Sequence, residues 1–286
     1  MKLELKGLTK RFKDVTALDN VDLCLEKPGI YGLLGRNGAG KTTMLNIITA
    51  RISASEGTVT LDGEPVFDSD SKLGCMHLMS EVNYLDTDLR FKEAVAYAKQ
   101  SYGDKFDSDS AMRYAHAFKL EGSKKLGKLS TGYKSIYKCC LALAMDTEFV
   151  FFDEPVLGLD ANHRDLFYRL LLDSYQRKEK VVVISTHLIE EAASMLEHFI
   201  IIASGRILMN LDSEQMSSYA TAVSGPRDAV EALATRHSVI SRVSLGGLET
   251  AYIKGIVETD DPKLSVCAVD PQRLFIELTR NEEERV

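Results

Sequence analysis

The chain of 286 residues is 45% hydrophobic and 27% charged, and its formal net charge is -7 at pH 7. A chain of this length buries roughly three quarters of the surface that its unfolded form exposes, so a large core can form without disulfides or structural metals. The composition excludes extensive disorder and fits one large domain, or one domain with a smaller one. The negative charge argues against binding nucleic acid by neutralising phosphates, and no nucleic-acid partner is expected.

Cysteine usage and the N-terminus indicate a cytosolic protein. The five cysteines form no C-x-x-C pair, and their odd number fits reduced thiols. The N-terminus lacks the apolar stretch of a signal peptide, and no apolar run approaches the roughly 20 residues needed to span a bilayer. A membrane role would therefore require a partner chain.

The first part of the chain predicts strands that lead into a glycine-rich loop. Short apolar runs at 3–8, 21–25 and 30–34 predict strands, and helical spacing of apolar residues follows over 44–48. Residues 57–63 read as a hairpin strand with turn residues at its end. This lobe therefore mixes strands with one prominent helix.

The middle of the chain predicts a helical insertion and then a return to the core sheet. Residues 91–129 contain two helical segments, 91–102 and 110–120, which are interrupted by glycines. Two strongly apolar runs, 149–152 and 181–184, flank a helical pattern, which is typical of buried parallel strands.

From about residue 213 the composition shifts to Ser, Ala and Thr, which indicates a small appended α+β domain. A helix is predicted over 228–235, strands near Val239 and Tyr252, and a last helix over 271–280. The predicted division is therefore a domain at 1–212, with a helical subdomain at about 82–140, and an accessory domain at 213–286.

A phosphate-binding loop follows the strand predicted at 30–34. The sequence Gly-Arg-Asn-Gly-Ala-Gly-Lys-Thr over 35–42 fits the pattern G-x-x-x-x-G-K-[ST] between a strand and a helix. Glycines let the backbone N–H groups curl around phosphate oxygens, and the helix adds its positive N-terminal dipole. A glycine-rich turn that binds nothing is the alternative, but it does not explain the Lys-Thr pair. The expected nucleotide contacts are Gly35, Arg36, Asn37, Gly38, Ala39, Gly40, Lys41, Thr42 and Thr43.

The loop motif also predicts which groups bind the phosphates and the metal, and which nucleotide is bound. Lys41 is expected to reach the β- and γ-phosphates, and the Thr42 hydroxyl to ligate Mg²⁺. ATP is favoured over GTP, because the chain has no Asn-Lys-x-Asp segment of the kind that guanine-specific proteins use. The sequence therefore predicts a P-loop NTPase core with ATP and Mg²⁺ as cofactors.

Two acids and a histidine follow the buried strands. Asp153 and Glu154 come at the end of the strand at 149–152, where ligands of open α/β sheets gather. Asp153 is expected to hold Mg²⁺ through water, and Glu154 to polarise the attacking water as general base. His187 follows the next strand at the same sheet edge and is expected to contact the γ-phosphate. The alternatives are two acids in a solvated turn and a structural histidine.

Residues 129–135 read Leu-Ser-Thr-Gly-Tyr-Lys-Ser (the signature turn), which is similar to the Leu-Ser-Gly-Gly-Gln signature of the ATP-binding cassette family. The resemblance covers about Leu3 to Asp212 and includes the phosphate loop and the strand-end acids. It implies an ATPase that works as a head-to-tail dimer, with Ser130 and Gly132 facing the γ-phosphate bound by the opposite subunit. A hydroxyl and exposed N–H groups at a helix start suit such an anion site.

The resemblance extends to three further nucleotide or metal contacts. Phe12 stands where the family stacks an aromatic ring on adenine, and Asp160 lies in a loop that crosses the dimer interface. Plain core packing of Phe12 and helix capping by Asp160 are equally reasonable readings. Glu81 aligns with the family glutamine that touches Mg²⁺, so it is the third expected metal ligand beside Thr42 and Asp153.

Departures from the family pattern concern the signature turn and the phosphate loop. Arg36 replaces the usual proline, Thr131 the first signature glycine and Tyr133 the glutamine. The altered turn implies a changed contact to ATP and slow hydrolysis. The last helix resembles the Leu-x-x-Phe-x-x-Leu-Thr helix of cassettes that serve exporters, which favours export over import; an amphipathic helix that packs anywhere is the alternative.

The resemblance therefore implies the ATP-hydrolysing subunit of an ABC membrane transporter. Its expected partners are a transmembrane permease on a separate chain and a second cassette, identical or homologous. Its expected location is the cytoplasm, at the inner face of the cell membrane through that permease. The alternatives are a soluble cassette that acts on ribosomes or DNA, and a sensing module that binds ATP and hydrolyses it weakly.

Overall fold

The computed structural model describes residues 1–80, 82 and 86–283. An antiparallel sheet of four strands opens the fold, in the order β2-β1-β4-β5. Asp62 and Gly63 join its last two strands with φ of 53° and 83°, and positive φ at both positions is what a tight hairpin turn requires. Its strands are β1 (Leu3–Phe12), β2 (Val15–Leu25), β4 (Glu56–Leu61) and β5 (Glu64–Pro65).

A mixed sheet of six strands forms the centre of the molecule. Its strands are β3 (Gly29–Leu34), β6 (Met76–Met79), β7 (Phe149–Asp153), β8 (Val181–Thr186), β9 (His198–Ala203) and β10 (Arg206–Asp212). They lie in the order β10-β9-β3-β8-β7-β6, and only β10 pairs antiparallel with its neighbour. Leu34 pairs with Thr186, and Asp153 with Ser185. The register therefore brings the carboxyl ends of β3, β7 and β8 to one edge.

The three central strands are buried on both faces, as their continuous apolar sequences predict. Alternate side chains of β7 point to opposite layers: Phe149 and Phe151 pack with the antiparallel sheet, and Val150 and Phe152 with the helical side. The core helices are α1 (Lys41–Ile48), α2 (Asp70–Leu73), α6 (Ala161–Arg177) and α7 (Ile189–Ala192).

The helical insertion consists of α3 (Phe91–Tyr102), α4 (Ser108–Ala117) and α5 (Thr131–Leu143). Helix α4 begins two residues before the predicted 110–120, because the Asp107 carboxylate accepts from the N–H groups of Asp109 and Ser110 and so caps the helix earlier. Buried rings hold the insertion together, among them Phe91 and Tyr137, whose centroids are 5.0 Å apart in an edge-to-face contact.

An ionic cluster joins the insertion to the core. Arg177 Nη1, at the end of α6, lies 2.8 Å from Asp107 Oδ2 and 3.0 Å from Asp146 Oδ2. Beside it, buried Lys180 donates to Met145 O and, at 3.0 Å, to Ser174 Oγ. Burial is the main cause that lowers the pKa of Lys180 to about 8.

Residues beyond Asp212 form a second antiparallel sheet, in the order β12-β13-β11-β14. One face packs against α9 around Val223, Val230 and Ile253; on the other, Tyr252 and Leu274 join the main core. The helix at 228–235 and the strands near Val239 and Tyr252 were expected, whereas β11 and β14 were not. The elements are α8 (Ser213–Ser218), β11 (Ala220–Pro226), α9 (Arg227–Ala234), β12 (Val239–Leu245), β13 (Leu248–Lys254), β14 (Ser265–Ala268) and α10 (Pro271–Glu283).

The boundary at 212 and the subdomain at 82–140 stay predictions. Among the residues that the structure describes, no helix combines the length and the apolarity that crossing a membrane requires.

Candidate functional site

The loop between β3 and α1 depends on glycines at its tightest points. Gly38 and Gly40 have φ of 83° and 107°, in the left-handed region that side chains disfavour. A Cβ on Gly40 would lie 2.6 Å from Ala17 O, and one on Gly35 would lie 2.7 Å from Ile202 O. The loop can therefore take this path only with glycine at these positions.

The same loop ends at the N-terminus of α1. Gly40 is the N-cap residue and supplies no capping side chain, so it does not compete for the first N–H groups of the helix. Those groups and the helix dipole favour an anion in front of the helix. Residues 35–43 thus have the backbone geometry of an anion site, and phosphate binding by this loop stays a prediction of the motif.

Lys41 lies beneath this loop and is 5% exposed. Its Nζ donates to Gly35 O at 2.6 Å and to Arg36 O at 3.2 Å. It also lies 3.3 Å from Glu154 Oε1. A buried ammonium with these partners is held at the loop, where it can compensate phosphate charge.

Asp153 lies at the end of β7 and is 2% exposed. Ser185 Oγ donates to its Oδ1 at 3.0 Å across the strand pair. Burial raises the pKa of Asp153, and hydrogen bonds from Thr42 and Ser185 oppose that shift. A buried carboxylate whose charge is poorly compensated, next to a threonine hydroxyl, is suited to a divalent cation.

Glu154 turns back toward the loop because its φ is 48°, a conformation uncommon for a residue with a side chain. Its N–H donates to Ser185 O at 3.0 Å, which fixes this turn to β8. The carboxylate accepts a hydrogen bond from His187 Nδ1 at 3.0 Å. The acid and the histidine of neighbouring strand ends therefore form one pair beside Lys41.

Lys41, Glu154, His187 and most of the glycine-rich loop line one cavity of about 320 Å³, whereas Gly35 and Asp153 are not among its lining residues. It is lined by Ala17, Arg36, Asn37, Gly38, Ala39, Gly40, Lys41, Thr42, Thr43, Glu154, Leu157 and His187. Ala17, Leu157 and Ser185 were not expected from the sequence. One feature of the sequence indicates that Ser185 has a role, since it is a polar residue inside an apolar strand. Its partner, Asp153, is evident only from the register of β8 with β7.

The donor set fits a magnesium nucleotide. Backbone N–H groups and Lys41 suit phosphate oxygens, while Thr42 and Asp153 supply the hydroxyl and carboxylate oxygens that Mg²⁺ takes. No group of three or more His, Cys, Asp or Glu side chains arranged to hold a metal occurs in the described part of the chain. The residues thus suit a cation that takes its other ligands from phosphates and water.

Phe12 lies at the end of β1 and is 47% exposed. The ammonium of Lys10 lies 4.9 Å from its ring centroid. The ring does not belong to the core and is not among the residues that line the cavity. Plain core packing is therefore not its role, and stacking on adenine stays a prediction.

The signature turn lies outside that cavity. Ser130 is exposed and caps α5, where its Oγ accepts from the N–H of Tyr133 at 3.3 Å. A Cβ on Gly132 would lie 3.0 Å from Gly158 O, so the turn packs closely on residues 155–160 (the loop after Glu154). Asp160 caps α6 by accepting from the N–H of His163 at 2.9 Å. The structure brings these three predicted residues (the signature-turn surface: Ser130, Gly132 and Asp160) near each other, and none of them lines the cavity.

The third expected metal ligand, Glu81, lies outside the described residues. The roles assigned to the individual site residues stay predictions of the motifs and geometry.

Comparison with known proteins agrees with this architecture. The profile of the ABC transporter family matches residues 18–157. The chain is 28% identical to the ABC transporter ATP-binding protein YtrB of Bacillus subtilis (strain 168) over 282 residues, which cover 99% of this chain and 96% of YtrB. It is 30% identical to the ABC transporter ATP-binding protein NatA of the same organism, over 72% of this chain and 87% of NatA.

A solved cassette has the same fold. The dimeric structure of MJ0796, a bacterial ABC transporter cassette, matches with a TM-score of 0.64 at 25% identity, over 73% of this chain and 98% of that chain. MJ0796 is also known as a dimer in a post-hydrolysis state with ADP and Pi. The predicted fold class and the resemblance are both confirmed. The chain belongs to the ABC transporter family and is one of its ATP-hydrolysing cassettes.

Proposed function

We propose that this cassette hydrolyses Mg²⁺-ATP to energise a transmembrane permease on a separate chain. The proposal is supported above all by one observation: Lys41, Glu154 and His187 contact one another in the lining of a glycine-rich cavity. Lys41 would bind the β- and γ-phosphates, and Thr42 and Asp153 would hold Mg²⁺, which neutralises charge on the triphosphate.

Glu154 is the proposed general base. Its carboxylate is held between Lys41 and His187, so its position is defined before substrate arrives. A base within reach of water at the γ-phosphate accepts the proton as the water attacks. His187, on the other side of Glu154, is proposed to hold this carboxylate and to contact the γ-phosphate.

The catalytic unit is proposed to be a dimer. Ser130 and Asp160 are exposed on the signature-turn surface rather than in the cavity of their own chain. The solved MJ0796 cassette is a dimer. In the proposed arrangement, Ser130 and Gly132 of each chain would contact the nucleotide held by the other.

The remaining assignments follow from that role. The cassette would lie at the cytoplasmic face of the membrane through its permease, and export is favoured by the resemblance of Phe275-x-x-Leu278-Thr279 in α10 to the last helix of exporter cassettes. Residues 213–286 are proposed to be an accessory domain. Flux of a labelled substrate through the reconstituted cassette and permease would fix the direction, and inward flux driven by ATP would contradict export.

Replacement of Glu154 by Gln tests the proposed function. Turnover should fall by roughly 10² to 10⁴-fold, because the general base is lost, while ATP binding remains and a dimer accumulates. Phosphate release, nucleotide binding and sedimentation would be measured on the full chain. Unchanged turnover in this variant would contradict the role of Glu154.

A weakly hydrolysing, ATP-sensing cassette is the second candidate, and the replacements at Thr131 and Tyr133 favour it. The sensor and the transport ATPase are expected to differ in their rate of ATP turnover when the permease is present. A rate that stays at the basal level of the isolated cassette would support the sensor.

A further inference from the structure

His163 connects the two elements of the signature-turn surface. It lies in the first turn of α6, three residues after Asp160, and 29% of its side chain is exposed. The backbone N–H of His163 donates a hydrogen bond to Asp160 Oδ1, which completes the helix cap. Its ring nitrogen Nδ1 lies 2.9 Å from the other carboxylate oxygen, Oδ2. One residue therefore holds both oxygens of Asp160.

The direction of the second hydrogen bond follows from the state of the acid. The hydrogen bond from the backbone N–H of His163 has the largest effect on the pKa of Asp160 and lowers it. The hydrogen bond from the His163 ring lowers this pKa further. The carboxylate is therefore ionised at neutral pH and can only accept, so Nδ1–H of His163 donates. The bond from Nδ1–H to Oδ2 fixes the rotation of the Asp160 carboxylate. The capping bond to Oδ1 alone would leave the carboxylate free to rotate.

Two aromatic rings hold the imidazole from the helical side. Tyr133 of the signature turn meets it edge to face, with centroids 6.0 Å apart and planes at 69°. Phe118, which is buried in the insertion, lies 6.1 Å away at 25°. Both contacts are within the range of aromatic pairs. The ring therefore fixes the signature turn relative to Asp160 within the same chain.

We propose that His163 is a positioning residue for ATP hydrolysis, which aligns Asp160 and the signature turn as one unit for the nucleotide of a second cassette. This rests on the proposed dimer function. His163 is not among the residues that line the cavity around Lys41, so it affects the dimer step and leaves nucleotide capture by a single chain intact. Tyr133 takes part because it replaces the smaller glutamine of the family pattern and supplies the ring that contacts His163.

The test compares two replacements at His163 with one control replacement at His116, all in the full chain. His163→Leu keeps apolar bulk and removes the donor, whereas His163→Asn keeps an N–H near the position of Nδ1. His116→Leu, at an exposed histidine of α4, is the matched control. Each is combined with Glu154→Gln, and the ATP concentration that gives half-maximal dimer is measured by sedimentation. Binding of a fluorescent ATP analogue to dilute, monomeric protein and the turnover of the Glu154-containing variants are measured in parallel.

His163→Leu should raise the ATP concentration for half-maximal dimer by roughly tenfold and lower kcat by a similar factor, which is the scale of one lost hydrogen bond to a charged group. Nucleotide binding to the monomer should not change, His163→Asn should recover most of the loss, and His116→Leu should match the parent. Equal dimerisation and kcat in His163→Leu and the parent would overturn the role of His163 alone. A parent that never dimerises with ATP would overturn the proposed dimer as well.

Discussion

The cavity around Lys41 and the signature-turn surface are both built at helix N-termini, but they differ in burial. Lys41 and Asp153 are 5% and 2% exposed, and each has partners from other elements of the same chain. Ser130 and Asp160 are exposed, and the hydrogen bonds found for them stay within the first turn of their own helices. The first region is thus preorganised by the core, whereas the second presents its polar groups outward.

This difference separates two classes of mutation. Changes in the buried cavity should alter what one chain does alone, namely bind nucleotide and hold the cation. Changes on the exposed surface should alter turnover without altering nucleotide capture. The comparison fails if a variant of either region gives the effect of the other.

The largest effect is expected for Asp153→Asn. Loss of the carboxylate should lower turnover by more than about 100-fold, because developing charge on the phosphates is no longer compensated through a bound cation. Phosphate release at several Mg²⁺ concentrations measures it. Turnover near that of the parent at every Mg²⁺ concentration would contradict a cation-binding role for Asp153.

The same variant should be more stable than the parent in the absence of nucleotide. Burial raises the pKa of Asp153 in the folded state, so this group stabilises the fold below its unfolded pKa, and that contribution is lost as the pH rises through the folded value. Asn carries no charge and avoids the loss, so the free energy of unfolding at pH 7 should rise by about 1 kcal/mol. Urea unfolding at pH 7 and pH 4 tests this, and the difference between the two proteins should shrink at pH 4.

A smaller effect is expected on the exposed surface, for Ser130→Asp. Aspartate is as good an N-cap as serine, so the stability should stay within about 0.5 kcal/mol of the parent. A carboxylate facing phosphate should nevertheless lower turnover by at least about tenfold, because like charges repel across the interface. Nucleotide binding to the single chain should be unchanged. Normal turnover would contradict the placement of Ser130 at a nucleotide.

The smallest effect on nucleotide binding and turnover is expected at the ionic cluster, which lies at the opposite end of α6 from Asp160. Since burial lowers the folded-state pKa of Lys180 to about 8, its contribution to stability is present above the unfolded pKa and is lost as the pH falls through 8. Between pH 8 and pH 10 the free energy of unfolding should rise by up to about 1.4 kcal/mol per pH unit from this group. Lys180→Met should lack that rise and should bind nucleotide normally. The same slope in both proteins would assign the pH dependence to other groups.

Sequence could predict the cavity because its parts are local. Residues 35–42 form a contiguous motif between a strand and a helix, and Asp153 and Glu154 end an apolar run. The partner of Asp153 could not be predicted, since Ser185 reaches it only through the register of β7 with β8. The positive φ of Glu154 likewise depends on its tertiary hydrogen bond to Ser185 O.

The signature-turn surface was predicted less completely. Ser130 and Asp160 were found by their resemblance to a family pattern, but His163 carried no signal. Its contact with Tyr133 joins residues from two different helices, and no periodicity encodes that pairing. Strand β14 was missed for a different reason: all four of its residues are exposed, so it shows no alternation of apolar and polar residues.

The central claim is that the glycine-lined loop, Lys41 and the strand-end acids act on one Mg²⁺-bound ATP. Equilibrium binding of a fluorescent ATP analogue with Mg²⁺, to the parent and to Lys41→Ala, tests it most directly. We expect the parent to retain the nucleotide and the variant to bind it at least about 100-fold more weakly, equivalent to about 2.7 kcal/mol of lost binding free energy. Equal affinity of the two proteins, or no binding by the parent, would contradict the claim.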